Sequence, residues 1–286
     1  MRKITPKKRF GQHFLKDLSI AERIADTIYT DVKNVLEVGP GMGALTQFLL
    51  NNQDIDLKAV EVDMASYDYL QEKYPQLKIF REDFLKMDFS QIFANQTFGI
   101  IGNFPYNIST QILFKILENR DRVSFFAGMF QKEVAERICA ANGSKTYGIT
   151  SVLAQAFYKV EYILTVFEHV FVPPPKVKSA VIRLTRNEVK KLNCNEKLFF
   201  DVVKTAFNQR RKTLRNSLKS FEARSCPSNK LKTTIYKNDI TDYNTESNNY
   251  SHNDIFNLRP EQLSVTQFIY LTNLIEERIN QNHSLV

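Results

Sequence analysis

Three observations place this chain in the α/β class. Short β-rich apolar runs alternate with helical patterns from about residue 17 to 160, a glycine-rich turn joins the first run to a helix, and the last third reads as helical. The expected architecture is a Rossmann-like, doubly wound, mostly parallel seven-stranded sheet followed by a small C-terminal all-helical domain. The first domain is expected over residues 1–184 with a basic N-terminal arm, a linker over 185–195, and the helical domain over 196–286 with a polar insert near 222–254.

Each element follows from pattern. Asn34 to Val38 reads as the first strand, and Ala44 to Asn51 opens a helix directly after the glycines. Leu57 to Val62 and Leu77 to Phe80 are the next strands, with a helix through Tyr67 to Tyr74 between them. Phe98 to Gly102 and Val123 to Phe130 complete five strands, separated by helical spacing over Ile108 to Leu117. Gln131 to Ala141 and Ile149 to Tyr158 read as helices. Phe167 to Val172 and Ala180 to Leu184 flank Pro173-Pro174-Pro175, which blocks helix and sheet alike, so they read as a closing pair of strands around a rigid loop. Thr185 to Asn195 is polar. Leu198 to Leu218 has the period of one continuous helix, which would line up Lys204, Asn208, Arg211, Lys212, Arg215 and Lys219 on one face. Glu222 to Asn253 is rich in Ser, Asn, Thr, Lys and Tyr and reads as a loop, and Arg259-Pro260-Glu261 starts a final helix.

Composition excludes several classes. No apolar stretch is long enough to span a membrane, and the basic N-terminus lacks a signal core after it. Cys139, Cys194 and Cys226 have no CxxC spacing, and His13, His169, His252 and His283 are scattered. A reducing cytoplasm, no metal and no disulfide framework are therefore expected. The net charge of +8 is unevenly spread: residues 204–232 carry nine Lys or Arg against Glu222 alone, and residues 2–16 carry six cations without an acid. Two basic zones on a mildly acidic body read as a footprint for a polyanion, nucleic acid in particular.

Gly39, Gly41 and Gly43 follow a strand and precede a helix, where the backbone can approach a ligand without a Cβ in the way. Glu61 ends the second strand 22 residues after Gly39, placed to accept bonds from ribose hydroxyls. The glycines fall at i, i+2 and i+4, whereas the dinucleotide fingerprint puts its third at i+5. That spacing favours S-adenosylmethionine, which has a ribose but no pyrophosphate, over a nicotinamide cofactor. Asp83 ends the third strand, within reach of an adenine amine, although an acid there also suits a turn or cap.

Asn103-Phe104-Pro105-Tyr106 closes an apolar strand. Its amide oxygen and the Pro105 carbonyl offer two acceptors for the N–H groups of an aromatic amine, and Tyr106 offers a ring on which a base can stack. Holding both N–H groups lets the nitrogen pyramidalise and aim its lone pair at an electrophilic methyl, with no strong base required. Phe171, beside the triple proline, is a candidate second wall.

With these residues the chain resembles the 16S ribosomal RNA adenine dimethyltransferases of the KsgA/RsmA type. The likeness covers Lys8 to Leu15, Glu37 to Gly41, Gly102 to Ser109, Gln131 to Val134, Pro173 to Val177 and Ala206 to Thr213 with Arg215 to Leu218. The last is the more discriminating, because 23S-directed resistance methylases share the first domain more than the second. The resemblance implies cofactor contacts at His13, Leu15, Gly39, Gly41, Glu61, Asp83 and Asn103, and base contacts at Asn103, Pro105, Tyr106 and Phe171. It implies dimethylation of two adjacent adenines near the 3′ end of 16S rRNA, within a precursor of the small subunit, by a monomer. RNA phosphates are expected on Lys204, Arg211, Lys212, Arg215 and Lys219. Many members carry Asn at the position of His13 and Leu at that of Phe104. The rival readings are a 23S rRNA adenine methylase and a mainly non-catalytic assembly factor.

Overall fold

The computed structural model describes residues 5–29, 31–219, 221 and 254–283; the polar insert, Cys226, His252 and the first cations of the N-terminus lie outside the described residues. The chain divides into two compact units, residues 1–139 with 157–190, and residues 140–156 with 191–286. Residues 140–156, which the sequence pattern groups with the first domain, belong to the second unit.

In the first unit the elements run β1 (Phe14–Leu15), α1 (Leu18–Ala25), β2 (Asn34–Val38), α2 (Thr46–Asn51), β3 (Asp56–Val60), α3 (Met64–Lys73), β4 (Lys78–Phe80), β5 (Phe98–Asn103), α4 (Ser109–Glu118), β6 (Val123–Gln131) and α5 (Lys132–Cys139). After α6 (Ile149–Phe157) the chain returns with β7 (Tyr158–Val166), β8 (Phe171–Val172) and β9 (Ser179–Arg186). Seven strands form one sheet in the order β4-β3-β2-β5-β6-β9-β7. The first five are parallel, and β9 runs antiparallel to both β6 and β7. The central strands are apolar on both faces, as helices on each side require: Val35, Leu36, Ile100, Ile101, Phe125 and Phe126 are fully buried. From β2 the chain builds outward through β3 and β4, then crosses to β5 on the other side, so a crevice opens beyond the carboxyl ends of β2 and β5.

The mostly parallel sheet is as expected, but its closing strands differ. β7 lies outside the expected strands, although Tyr158, Val160, Tyr162, Leu164 and Val166 alternate along it; a register shift between Tyr162 and Leu164 leaves Ile163 as an extra residue. The expected strand over Phe167 to Val172 is a single 3₁₀ turn over Glu168–Val170 followed by β8, and β8 pairs with β1, not with β9. The antiparallel partners of β9 are β6 and β7.

The second unit holds α6, α7 (Glu196–Asn208), α8 (Leu214–Ser217) and α9 (Val265–His283). Phe207 packs between Tyr147 and Phe268, with ring centroids 6.0 and 5.8 Å away. The single helix expected over 198–218 is broken. α7 ends at Asn208, and a turn follows in which Lys212 N–H reaches the Gln209 carbonyl. Leu214 N–H then bonds the Leu258 carbonyl at 2.8 Å and its side chain is fully buried, so tertiary packing overrides helical period. α9 begins at Val265, past the Arg259-Pro260-Glu261 start, because Ser264 and Gln267 cap it reciprocally: each accepts the other's backbone N–H through its side chain. Among the described residues no helix is long and apolar enough to cross a membrane.

Candidate active site

The crevice at the carboxyl ends of β2, β3 and β5 is a cavity of about 260 Å³. Its floor is the turn after β2. Gly39 adopts φ +68°, a left-handed conformation, and a Cβ there would project into open space. Gly41 adopts φ +58° and would carry its Cβ to within 3.0 Å of the Phe14 ring, so only glycine lets the N-terminal arm close on the turn. The turn is tied to the sheet by Gly39 N–H donating to the Val60 carbonyl at 2.9 Å.

Glu61, just past β3, is 4 % exposed. Its carboxylate accepts Gly41 N–H at 3.1 Å and Asp63 N–H at 2.8 Å, which fixes the orientation of its remaining lone pairs. Burial pushes the Glu61 carboxyl above its usual range, while these backbone bonds pull the other way. Asp83 lines the cavity half-buried and also accepts Leu85 N–H at 3.0 Å through one carboxylate oxygen, so it shapes the turn after β4 as well.

β5 delivers the opposite wall. Asn103 Nδ2 donates to the His13 carbonyl at 3.0 Å, which settles the amide so that Oδ1 is left as acceptor. The Pro105 carbonyl already accepts Ile108 N–H at 3.2 Å and retains a second lone pair. Phe104 turns away into the core, stacked on Phe126 at 4.9 Å, so the residues on either side of it face the crevice. Tyr106 is half-buried; its hydroxyl bonds that of Ser179, and its ring lies 5.4 Å from the His13 imidazole at 26°. His13 Nδ1 in turn meets the Pro173 carbonyl at 2.8 Å.

His13, Leu15, Gly39, Gly41, Glu61, Asp83, Asn103, Pro105 and Tyr106 all line this one cavity. Phe171 does not. It is 1 % exposed and its backbone pairs with Leu15 in the small β1–β8 sheet, so it supports the cavity wall from behind. Lys204 is exposed on α7, Arg211 and Lys212 are exposed on the turn, and Lys219 is exposed beyond α8, so these cations belong to three local structures. Arg215 bonds Asn257 Oδ1 at 3.2 Å.

Sequence reasoning assigned no role to several lining residues. Glu37 is 1 % exposed and accepts the Thr46 hydroxyl at 2.7 Å; burial pushes its carboxyl up to about 8. An acid inside an apolar strand was the available signal. Arg9, Phe10 and Gln12 bring the arm over the cavity, and Lys7 pairs with the buried Asp63. No local pattern foretells contacts at that sequence distance.

A glycine turn, an acid on the adjacent strand, and an amide-proline-aromatic corner at the switch point of such a sheet define the methyltransferase class of nucleoside-binding enzymes. The model of the ribosomal RNA adenine dimethylase family matches residues 4–257, and the chain belongs to that family. It is 55% identical over 282 residues to the ribosomal RNA small subunit methyltransferase A of Bacteroides thetaiotaomicron, covering 98% of this chain and 97% of that one. The protein of the same name in Flavobacterium johnsoniae is 55% identical over 279 residues, covering 96% and 98%. Among solved structures, a dimethyladenosine transferase from Plasmodium falciparum superposes with a TM-score of 0.72 at 24% identity, covering 93% of this chain and 98% of that one. The 23S rRNA methyltransferase ErmE gives 0.62 at 21% identity, covering 91% and 99%. Both structural likenesses speak to the fold alone.

Proposed function

We propose that the protein methylates the N6 amines of two adjacent adenines near the 3′ end of 16S rRNA, twice each, acting as a cytoplasmic monomer on a precursor of the small ribosomal subunit. S-adenosylmethionine, held by the Gly39–Gly41 turn, Glu61, Asp83 and the arm residues His13 and Leu15, supplies a methyl group on a sulfonium when bound. The open face of Gly39 and the paired oxygens of Glu61 suit a ribose-bearing ligand without a pyrophosphate.

The reading is carried by one juxtaposition: the Asn103 amide oxygen and the Pro105 carbonyl share a cavity with the glycine turn. Accepting both N–H groups of an adenine amine, these two oxygens withdraw its lone pair from the ring and fix its direction. Tyr106 stacks on a base that has left its helix, and its hydroxyl bond to Ser179 limits ring rotation. At each transfer the nitrogen would gain a bond to the methyl carbon as that carbon's bond to sulfur breaks, the electron pair staying on sulfur, and would give up one proton to solvent. The exposed cations of residues 204–219 hold phosphates.

The test is to map modified adenines in total RNA from cells lacking the protein, complemented with wild type or Asn103→Ala. Dimethyladenines restored in 16S rRNA by wild type alone support the reading. Modification appearing in 23S rRNA, or restored equally by the variant, overturns it.

A further inference from the structure

An aromatic shelf stands outside the cavity, on the segment between β7 and β9. Phe167 is 48 % exposed, although a phenylalanine normally gains by burial. The ring of His169, also exposed, is stacked on it, with centroids 6.2 Å apart and planes at 27°. Lys178 Nζ sits 4.6 Å from the Phe167 centroid, and Lys176 is exposed nearby in sequence. Val172 and Val177, 49 % and 44 % exposed, extend the apolar surface on the same segment. Glu168 is the acid of this turn, and Asp17 is close enough to His169 for their charges to interact.

The shelf is tied to the acceptor corner through covalent neighbours. Ser179, next to Lys178, bonds the Tyr106 hydroxyl; Pro173 holds the ring nitrogen of His13, which stacks on Tyr106; and Glu168 lies near enough to Tyr106 for its charge to be felt there. An exposed ring pair with an ammonium over it is the chemistry that stacks a base and holds its phosphate.

We propose that Phe167, His169 and Lys178 form a stacking shelf for an unpaired ribonucleotide that flanks the target adenine. This rests on the RNA-methylating reading above and names a further contact of that substrate. A flipped adenine leaves its neighbours unstacked, and a shelf beside Tyr106 restores stacking to one of them. It also supplies the exposed aromatic surface that Phe171, packed behind Leu15, does not.

The test measures binding of a fluorescein-labelled RNA hairpin with two adjacent adenines in its loop, using the full chain and its Phe167→Ala, Phe167→Leu, Phe167→Tyr and Lys178→Gln variants. Phe167→Ala and Phe167→Leu are expected to weaken binding about tenfold, and Phe167→Tyr to stay within about twofold of wild type. Lys178→Gln should reduce the salt slope of binding by about one, while Phe167→Ala leaves that slope unchanged. S-adenosylmethionine binding by calorimetry should be the same in all. If Phe167→Ala or Phe167→Leu binds the hairpin as wild type does, the shelf is refuted while the RNA reading stands. If wild type binds and methylates neither the hairpin nor a small-subunit precursor particle, the RNA reading fails and the shelf with it.

Discussion

Replacing Glu37 with glutamine should make the protein more stable in mild alkali. Glu37, next to last in β2, is buried at the cavity wall, and burial raises its carboxyl from 4.5 to about 8; the Thr46 hydroxyl bond lowers it, and the charge of Glu61 raises it further. The folded state therefore holds a proton that the unfolded chain releases. Its contribution to stability is complete below about pH 4.5 and is lost as pH rises through about 8. At about 1.4 kcal/mol per pH unit, the gap between those values amounts to about 5 kcal/mol of stability surrendered across the window. Glutamine has the shape of the protonated acid, keeps an oxygen for the Thr46 hydroxyl and cannot ionise. Urea denaturation from about pH 5 to about pH 9 should show the two proteins diverging, with the wild type falling more steeply. Glu61, also raised by burial, stays in both, so the variant retains part of the slope. Parallel stability curves would refute the buried-proton assignment.

Other expectations are more local. Asn103→Ala should abolish methyl transfer while leaving the melting temperature close to that of wild type, because Asn103 is only half-buried at a strand end; near-normal turnover would contradict its acceptor role. Gly102→Ala would bring a Cβ to 2.5 Å from the Val38 carbonyl oxygen, between two central strands that cannot separate cheaply. A loss of about 1–3 kcal/mol in chemical denaturation is expected, and an unchanged midpoint would show that β2 and β5 yield there. Arg211→Ala with Lys212→Ala should weaken RNA binding and lower its salt slope by about two without altering cofactor affinity; both residues are exposed on the turn after α7. An unaltered slope would remove that turn from the RNA-binding surface.

Much of the site was legible before folding, because its residues come in short runs whose geometry is local. The glycines force a turn wherever they sit after a strand, and Asn103 to Tyr106 is a rigid four-residue corner. Contacts joining distant segments were not legible: Lys7 with Asp63, and Asn103 with the His13 carbonyl. The alternation of Tyr158, Val160, Tyr162, Leu164 and Val166 does mark β7, whereas the break after Asn208 has no local sign because its cause, the Leu214 bond to Leu258, lies 44 residues away.

The sequence by itself determined the alternating sheet, the cofactor-type turn and the acceptor corner, since period, glycine spacing and proline act through neighbouring residues. Tertiary structure alone decided which aromatic faces solvent, which carboxyl keeps its proton and where the basic helix ends. Each of those depends on burial, and burial is set by residues far along the chain.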